Sequence, residues 1–308
     1  MAMVNQRTLG RTGLAVSEVG LGALELGRNW RSWDSTGDRW RPDEAGAAEL
    51  LHTALDNGCN FIDTAAAYHR SEERIGAALE TRRDEYVLAT KFGEWCYEKE
   101  DGSDWSEYDY SAEAARKFLA ESLRKLRTDT IDLWQIHSGS PEQVEDKELL
   151  GALQEAKAAG TVRYLGLSCG EDGAIAAIES GVFDTIQISY SLLDQHMESR
   201  VLPLALAHGV GVIIKDPLAG GRLVAAPESF PAEHREWHVG IQDRLRAILP
   251  DGMTLAELAL RFVLSHPAVS TVIAGTRKSA HLLANLRAAD GQGLPADLLE
   301  KARESVAG

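Results

Sequence analysis

Four residues in the first half of the chain are of types that together could protonate a carbonyl: Asp63, Tyr68, Lys91 and His137. Each ends, or closely follows, a short apolar run. Asp63 closes "NFID" and Tyr68 comes five residues later; Lys91 closes "YVLATK" and His137 closes "IDLWQIH". Adding hydride to a C=O leaves negative charge on oxygen, so a proton must be supplied. A free phenol keeps its proton to pH ~10, too tightly for an ideal acid near neutrality. An ammonium beside it favours the phenolate and lowers that pKa, a part Lys91 can play for Tyr68. Asp63 can hold Lys91 charged and in place, and His137 can hydrogen-bond and orient the carbonyl oxygen. Singly, each has a plainer reading: a turn cap, a surface partner, a structural histidine. Four on three successive strand ends are harder to dismiss. Lys91 is also a candidate Schiff-base nucleophile, but that needs a neutral amine, and Asp63 would keep it charged.

The elements that must position these residues alternate in type. Strand-like runs fall at 18–22, 60–63, 86–91, 131–137, 162–168, 185–189, 210–215 and 269–274. Helical patterns fill the gaps, at 44–57, 72–79, 111–126, 148–159, 172–180, 199–208, 254–265 and 279–289. In the first of these Ala48, Leu51 and Leu55 share a face, and Gly58 stops it. Ser111 and Ser279 suit N-caps. Eight strand-then-helix units predict an α/β fold, a (β/α)8 TIM barrel, as one domain over residues 1–308. An open doubly wound sheet is the rival, but "VGLGALELG" lacks the glycine spacing that fold uses. Long βα loops follow strands one (23–43), three (92–110) and seven (216–252). In a barrel all three lie on the face where active sites are built.

Composition narrows the classes. With 308 residues, 44% hydrophobic and 26% charged, the chain can bury a large core. A formal net charge of -15 repels phosphate backbones and disfavours nucleic acid as partner. No run of 18 apolar residues exists to cross a membrane, and "MAMVNQRTLGRTG" has no apolar core of a secretory signal. Cys59, Cys96 and Cys169 are odd in number and far apart, which fits a reduced, cytoplasmic setting. No metal-ligand spacing is read, and the oligomeric state is left open.

On these motifs the chain resembles the aldo-keto reductase family, from about residue 7 to about 290. "LGRTGLAVSEVGLG" is similar to its N-terminal segment, a hairpin that plugs the barrel before strand one. "FIDTAAAYHRSEERIG", "ATKFG" and "DLWQIH" follow in the family's order. The resemblance implies Tyr68 as acid/base, supported by Lys91, Asp63 and His137. It also implies a nicotinamide cofactor held without a Rossmann fold, with Gly22 and Ala23 beside it. "LGLSCG" resembles the carboxamide segment: Ser168 matches, Cys169 stands where asparagine is usual, and Gln187 matches a third contact. "IIKDPLAGGRLV" resembles the pyrophosphate loop. Pro217, Leu218, Gly220 and Leu223 match, while Lys215 replaces a stacking aromatic. "IAGTRKSAHLLANL" resembles the adenosine side. Thr276 and Asn285 match, His281 takes a place usual for arginine or glutamine, and Ala284 one usual for glutamate. Arg277 and Lys278 at a helix start suit a 2′-phosphate, so NADPH is preferred to NADH; the alternative is that they are solvated surface cations. The expected partner is a small-molecule carbonyl substrate. A non-catalytic NADP(H)-sensing subunit, as some relatives are for ion channels, is the reading from another class, and the four intact residues argue against it.

The loops add aromatic rings. Trp30, Trp33, Trp40, Trp95 and Trp105 lie after strands one and three, and Trp237 after strand seven. They predict an aromatic-walled pocket for a flat or sugar-like ring, with Trp33 and Trp95 its named walls; alternatively the rings only pin the loops together. Residues 28–41 carry Arg28, Arg31, Arg39 and Arg41, facing an acidic stretch at 94–109. That pattern predicts a lid clasped by weak ion pairs.

Overall fold

The protein is described by a computed structural model covering residues 4–28, 42–98 and 104–307. Eight parallel strands close into a barrel in chain order: Val19–Gly22, Phe61–Asp63, Val87–Phe92, Ile131–Gly139, Val162–Cys169, Thr185–Ser189, Gly211–Lys215 and Val269–Gly275. The last returns to the first, pairing Val272 with Val19 through Gly275 with Gly22. These are near-continuous apolar runs because helices cover the outside and side chains fill the inside. Alternation along each strand sorts the two. Ile62, Leu88, Trp134, Ile214 and Val272 join the larger core under the helices. Phe61, Val87, Ala89, Leu133, Ile213 and Ile273 form a smaller core inside the barrel, closed below by Leu9 and Val16. Leu9 and Val16 belong to an N-terminal hairpin, Gln6–Thr8 with Ala15–Ser17, that plugs the barrel floor. Buried Glu18 holds that floor together by accepting from Arg7 at 2.6 Å and from the Gly291 N–H at 2.9 Å.

Helix starts follow local chemistry. Asp43, Ser111, Asp146 and Thr254 each accept a backbone N–H of the first turn. Ser279 does not. It is already helical, Lys278 is the cap residue, and the Thr276 hydroxyl accepts the Lys278 N–H. The face of Glu44–Asp56 also sits one residue round from the expected one: Ala47, Leu50, Leu51 and Ala54 are buried, with Ala48 and Leu55 at its edge.

All three expected loops contain regular structure, the first of them a single helical turn, Leu24–Gly27. Within 92–110, Glu94–Glu98 pairs with Asp104–Tyr108 as an antiparallel hairpin, Cys96 opposite Ser106. Gly93 makes the break from the barrel strand, with φ of +99° and the Tyr110 ring so close that a Cβ would lie 2.3 Å from it. Within 216–252 runs the helix Ala232–Ala247, which carries Trp237. Helices Pro141–Glu145 and Ala296–Val306 were not expected from periodicity either. No helix among the described residues is long and apolar enough to cross a membrane.

Candidate active site

Three strand ends converge on Lys91. Its side chain is 0% exposed, and Nζ donates to Asp63 Oδ2 at 2.5 Å, to the Thr64 carbonyl at 2.9 Å and to Tyr68 Oη at 3.4 Å. An ammonium has three N–H groups, and here each has a partner. Burial pushes the Lys91 pKa down while the Asp63 carboxylate pulls it up, and burial prevails. Asp63 Oδ1 accepts from Gln135 at 3.2 Å and Gln187 at 2.8 Å. Gln135 was not singled out from sequence; it lies on strand four, paired with Lys91 in register. Gln187, expected at the cofactor carboxamide, commits its N–H₂ to Asp63.

Tyr68 lies in a short turn beyond strand two. The turn is pinned backbone to backbone, Ala66 N–H to the Lys91 carbonyl at 3.1 Å and Tyr68 N–H to the Ala65 carbonyl at 3.0 Å. Thr64 donates to Ser71 Oγ, which donates to the Ala23 carbonyl at the end of strand one. Gly27 packs against this turn so closely that a Cβ would meet the Tyr68 carbonyl oxygen at 1.8 Å. The phenol's proton is held more tightly than expected. Burial pushes its pKa well up, and Asp63, Glu94 and Glu25 add to that, with Arg28 opposing. The lowering expected from Lys91 is thus outweighed: a buried hydroxyl loses the water that would solvate its anion, and three carboxylates face it. Burial thus favours the neutral phenol, and it lies within hydrogen-bond reach of Lys91 Nζ.

His137 presents its ring edge-on to Tyr68, centroids 5.7 Å apart at 80°. Its Nδ1 lies 2.9 Å from Glu94 Oε2, although out of line for a hydrogen bond. Burial lowers the His137 pKa, and Glu94 only partly offsets it. Burial pushes the Glu94 carboxyl up, but His137, Ser106 and Arg28 overcome this and hold it at about 2. Arg28 donates to Glu94 Oε1 at 3.1 Å and to Asp104 Oδ2 at 2.8 Å. One arginine of the first loop therefore does clasp the acidic hairpin; Arg31, Arg39 and Arg41 lie outside the described residues. Sequence reasoning saw Glu94 only as one charge in a run.

Trp95 does not wall this cleft. Glu94 and Cys96 face inward, so the residue between them faces outward, and Trp95 stacks on Phe118 with centroids 3.9 Å apart. Trp105, 43% exposed, stacks on Tyr97, and Trp237, 53% exposed, stands on its helix against His238. Trp30, Trp33 and Trp40 lie outside the described residues.

The other expected residues border the same mouth. Gly22 pairs with Asp63 and Gly275 on its two sides, and the Ala23 N–H reaches the Asp63 carbonyl. Lys215, at the end of strand seven, donates to Ser168 at 3.2 Å. Burial lowers its pKa, and Lys91 lowers it further. Cys169 points the other way, into the core: its thiol reaches only the Leu167 carbonyl and burial raises its pKa to about 12, so it offers no contact. Beyond Lys215, Asp216, Ala219, Gly220 and Gly221 are all left-handed, around Pro217 and Leu218, with Leu223 buried beneath. No atom stands near a Cβ placed on Gly221, so backbone there can meet a ligand. Thr276 and Asn285 are buried, while Arg277, Lys278 and His281 are exposed around the start of Ser279–Leu286. Glu25, not foreseen, fills the gap over Gly275; its Oε2 is buried without a partner and burial raises its pKa, against the pull of Arg277. Hydroxyl and ammonium at one end, open glycine backbone in the middle and two cations at the other could hold a dinucleotide along its length.

Comparison with known proteins identifies the family. The model of the Aldo/keto reductase family matches residues 18–305. The chain is 31% identical to a 6-dehydroglucose reductase of Novosphingobium aromaticivorans, covering 90% of this chain and 87% of that one. It is also 31% identical to an L-galactose dehydrogenase of Arabidopsis thaliana, covering 94% and 89%. Among solved structures, the holo form of the aldo-keto reductase AKR11C1 from Bacillus halodurans superposes with a TM-score of 0.80 at 31% identity, covering 98% and 96%.

Proposed function

The chain belongs to the aldo/keto reductase family, enzymes that use a nicotinamide cofactor, and on that premise we propose that it reduces an aldehyde or ketone to the alcohol, with NADPH as cofactor and Tyr68 as proton donor. The observation that carries the reading is the Tyr68 hydroxyl 3.4 Å from the Lys91 Nζ, which Asp63 fixes in place. A nicotinamide held there would supply hydride to the carbonyl carbon. As charge grows on the carbonyl oxygen, Tyr68 gives up its proton and Lys91 stabilises the phenolate formed. His137, edge-on to the same point, orients the substrate's oxygen. Ser168 and Lys215 would hold the carboxamide end, Gly220 and its neighbours the pyrophosphate, and Arg277 and Lys278 the 2′-phosphate. A sugar or ring carbonyl is the favoured substrate class, since two similar proteins are named for sugars.

The Schiff-base reading through Lys91 is not favoured, because all three N–H groups of Nζ are engaged and no lone pair faces the cleft. The test is cofactor oxidation against a panel of aldehydes, ketones and sugars, with Tyr68→Phe beside the wild type. We expect the substitution to lower kcat by about 10²- to 10⁴-fold while cofactor binding stays intact. Full activity in Tyr68→Phe would remove the phenol from the reaction, and a lower KM for NADH than for NADPH would overturn the cofactor choice.

A further inference from the structure

Beside the reaction centre, on the inner side of the hairpin, stand three side chains of metal-ligating type. His69 Nε2 lies 3.7 Å from Cys96 Sγ and 3.5 Å from Asp104 Oδ1. All three ligand atoms fall within 4.8 Å of one another, and none of the residues is openly exposed. They come from separate places: the residue after Tyr68 and both strands of the hairpin. We propose that His69, Cys96 and Asp104 form a binding site for one borderline-soft divalent cation of the Zn²⁺ class, which ties the hairpin to the turn that carries Tyr68.

The two edges that meet at His69 Nε2 are close to those of a tetrahedral site. With Zn–S about 2.3 Å and Zn–N about 2.0 Å, a tetrahedral S···N edge is about 3.5 Å, and an N···O edge about 3.3 Å. The observed separations exceed these by a few tenths of an ångström, within the reach of a side-chain adjustment. Three protein ligands and a water make a common zinc arrangement. A thiol and an imidazole select against Mg²⁺ and Ca²⁺, which take oxygen.

Charge and backbone support the assignment. On binding, Asp104 and a Cys96 thiolate would bring two negative charges to a dication. Arg28 donates to Asp104 Oδ2 and leaves Oδ1 turned to His69, as an outer-shell donor does for a ligating carboxylate. His69 is held at φ of +47°, an uncommon conformation outside glycine. On binding, the Cys96 S–H bond is exchanged for S–Zn and its proton leaves to solvent.

The test uses the full chain, treated with chelator and reductant, and titrated with Co²⁺ and then Zn²⁺. The site predicts one equivalent bound, an intense thiolate-to-cobalt charge-transfer band, and displacement of Co²⁺ by Zn²⁺ but not by Mg²⁺. Cys96→Ser should abolish the band and weaken Zn²⁺ at least about tenfold. Asp104→Asn should weaken Zn²⁺ but keep the band. Hydrogen exchange should slow on Zn²⁺ addition in Glu94–Glu98 and Asp104–Tyr108. A wild type with no band, a band that survives Cys96→Ser, or equal binding of Mg²⁺ would each overturn the assignment.

Discussion

Lys91 Nζ stands 2.5 Å from Asp63 Oδ2, with both side chains closed to solvent. Removing one member of such a pair leaves a buried charge with no counter-charge, which costs about 3–5 kcal/mol. Asp63→Asn keeps the shape and removes the charge. The Lys91 pKa, already pushed down by burial, should fall further, so less ammonium remains to stabilise a Tyr68 phenolate. We expect a stability loss of about 3–5 kcal/mol in urea unfolding near neutral pH, with a large fall in kcat. An unchanged unfolding midpoint would mean the pair contributes nothing net.

Glu94 gives a separate pH prediction. Its carboxyl is held at about 2 against an ordinary 4.5. A depressed carboxyl contributes stability that is present above the ordinary value and lost as pH falls towards the folded one. Glu94→Gln should therefore flatten the stability profile between pH ~4.5 and ~2. It should also lower the His137 pKa, since Glu94 is the group that pulls it up against burial. NMR titration of the imidazole reads that shift, and a rise instead would show that Glu94 does not act on His137.

These two sites differ in how far the sequence exposes them. Asp63, Lys91 and His137 close apolar runs, and a barrel brings strand ends together whatever else happens. Glu94 and Gln135 are different. Gln135 reaches Asp63 through the register of strands three and four, and Glu94 reaches His137 only because 94–98 folds as a strand that turns alternate residues inward. That strand was legible: the alternation around Trp95 and Tyr97, then Asp101-Gly102, is a hairpin pattern. The acidic run masks that alternation, which turns Trp95 outward onto Phe118. The Tyr68–Lys91 approach was also legible, but not the net field there, because Glu94 and Glu25 come near Tyr68 only through tertiary packing.

Lys215 should discriminate between the two redox forms of the cofactor. It stands beside Ser168, and Lys91 adds to the lowering of its pKa. An oxidised nicotinamide ring carries positive charge and the reduced ring none, so a cation there opposes only the oxidised form. Lys215→Met should tighten NADP⁺ relative to NADPH by about tenfold, or about 1.4 kcal/mol. Fluorescence titration of both forms measures the ratio, and a ratio equal to wild type would exclude this role.

Gly27 is the sharpest steric test of how Tyr68 is positioned. It is far from the chemistry in sequence, and its role comes from space: a Cβ would meet the Tyr68 carbonyl at 1.8 Å and the Ser71 nitrogen at 2.4 Å. Both are backbone atoms and neither can swing aside, so in Gly27→Ala the turn itself must move. A displacement of about 1 Å at a reacting group can lower the rate about 10²-fold. The phenol would then no longer sit over Lys91, while the atoms nearest the new Cβ belong to Tyr68 and Ser71 and not to Ser168, Lys215 or the glycines after strand seven. We expect kcat to fall about 10²-fold with cofactor Kd nearly unchanged. Gly151→Ala separates this effect from any general effect of alanine. That glycine lies inside the helix Lys147–Ala158 with nothing near its Cβ, so the change should stabilise by about 0.5–1 kcal/mol at full activity. Equal activity in the two variants would show that the contact with Gly27 does not set the position of Tyr68.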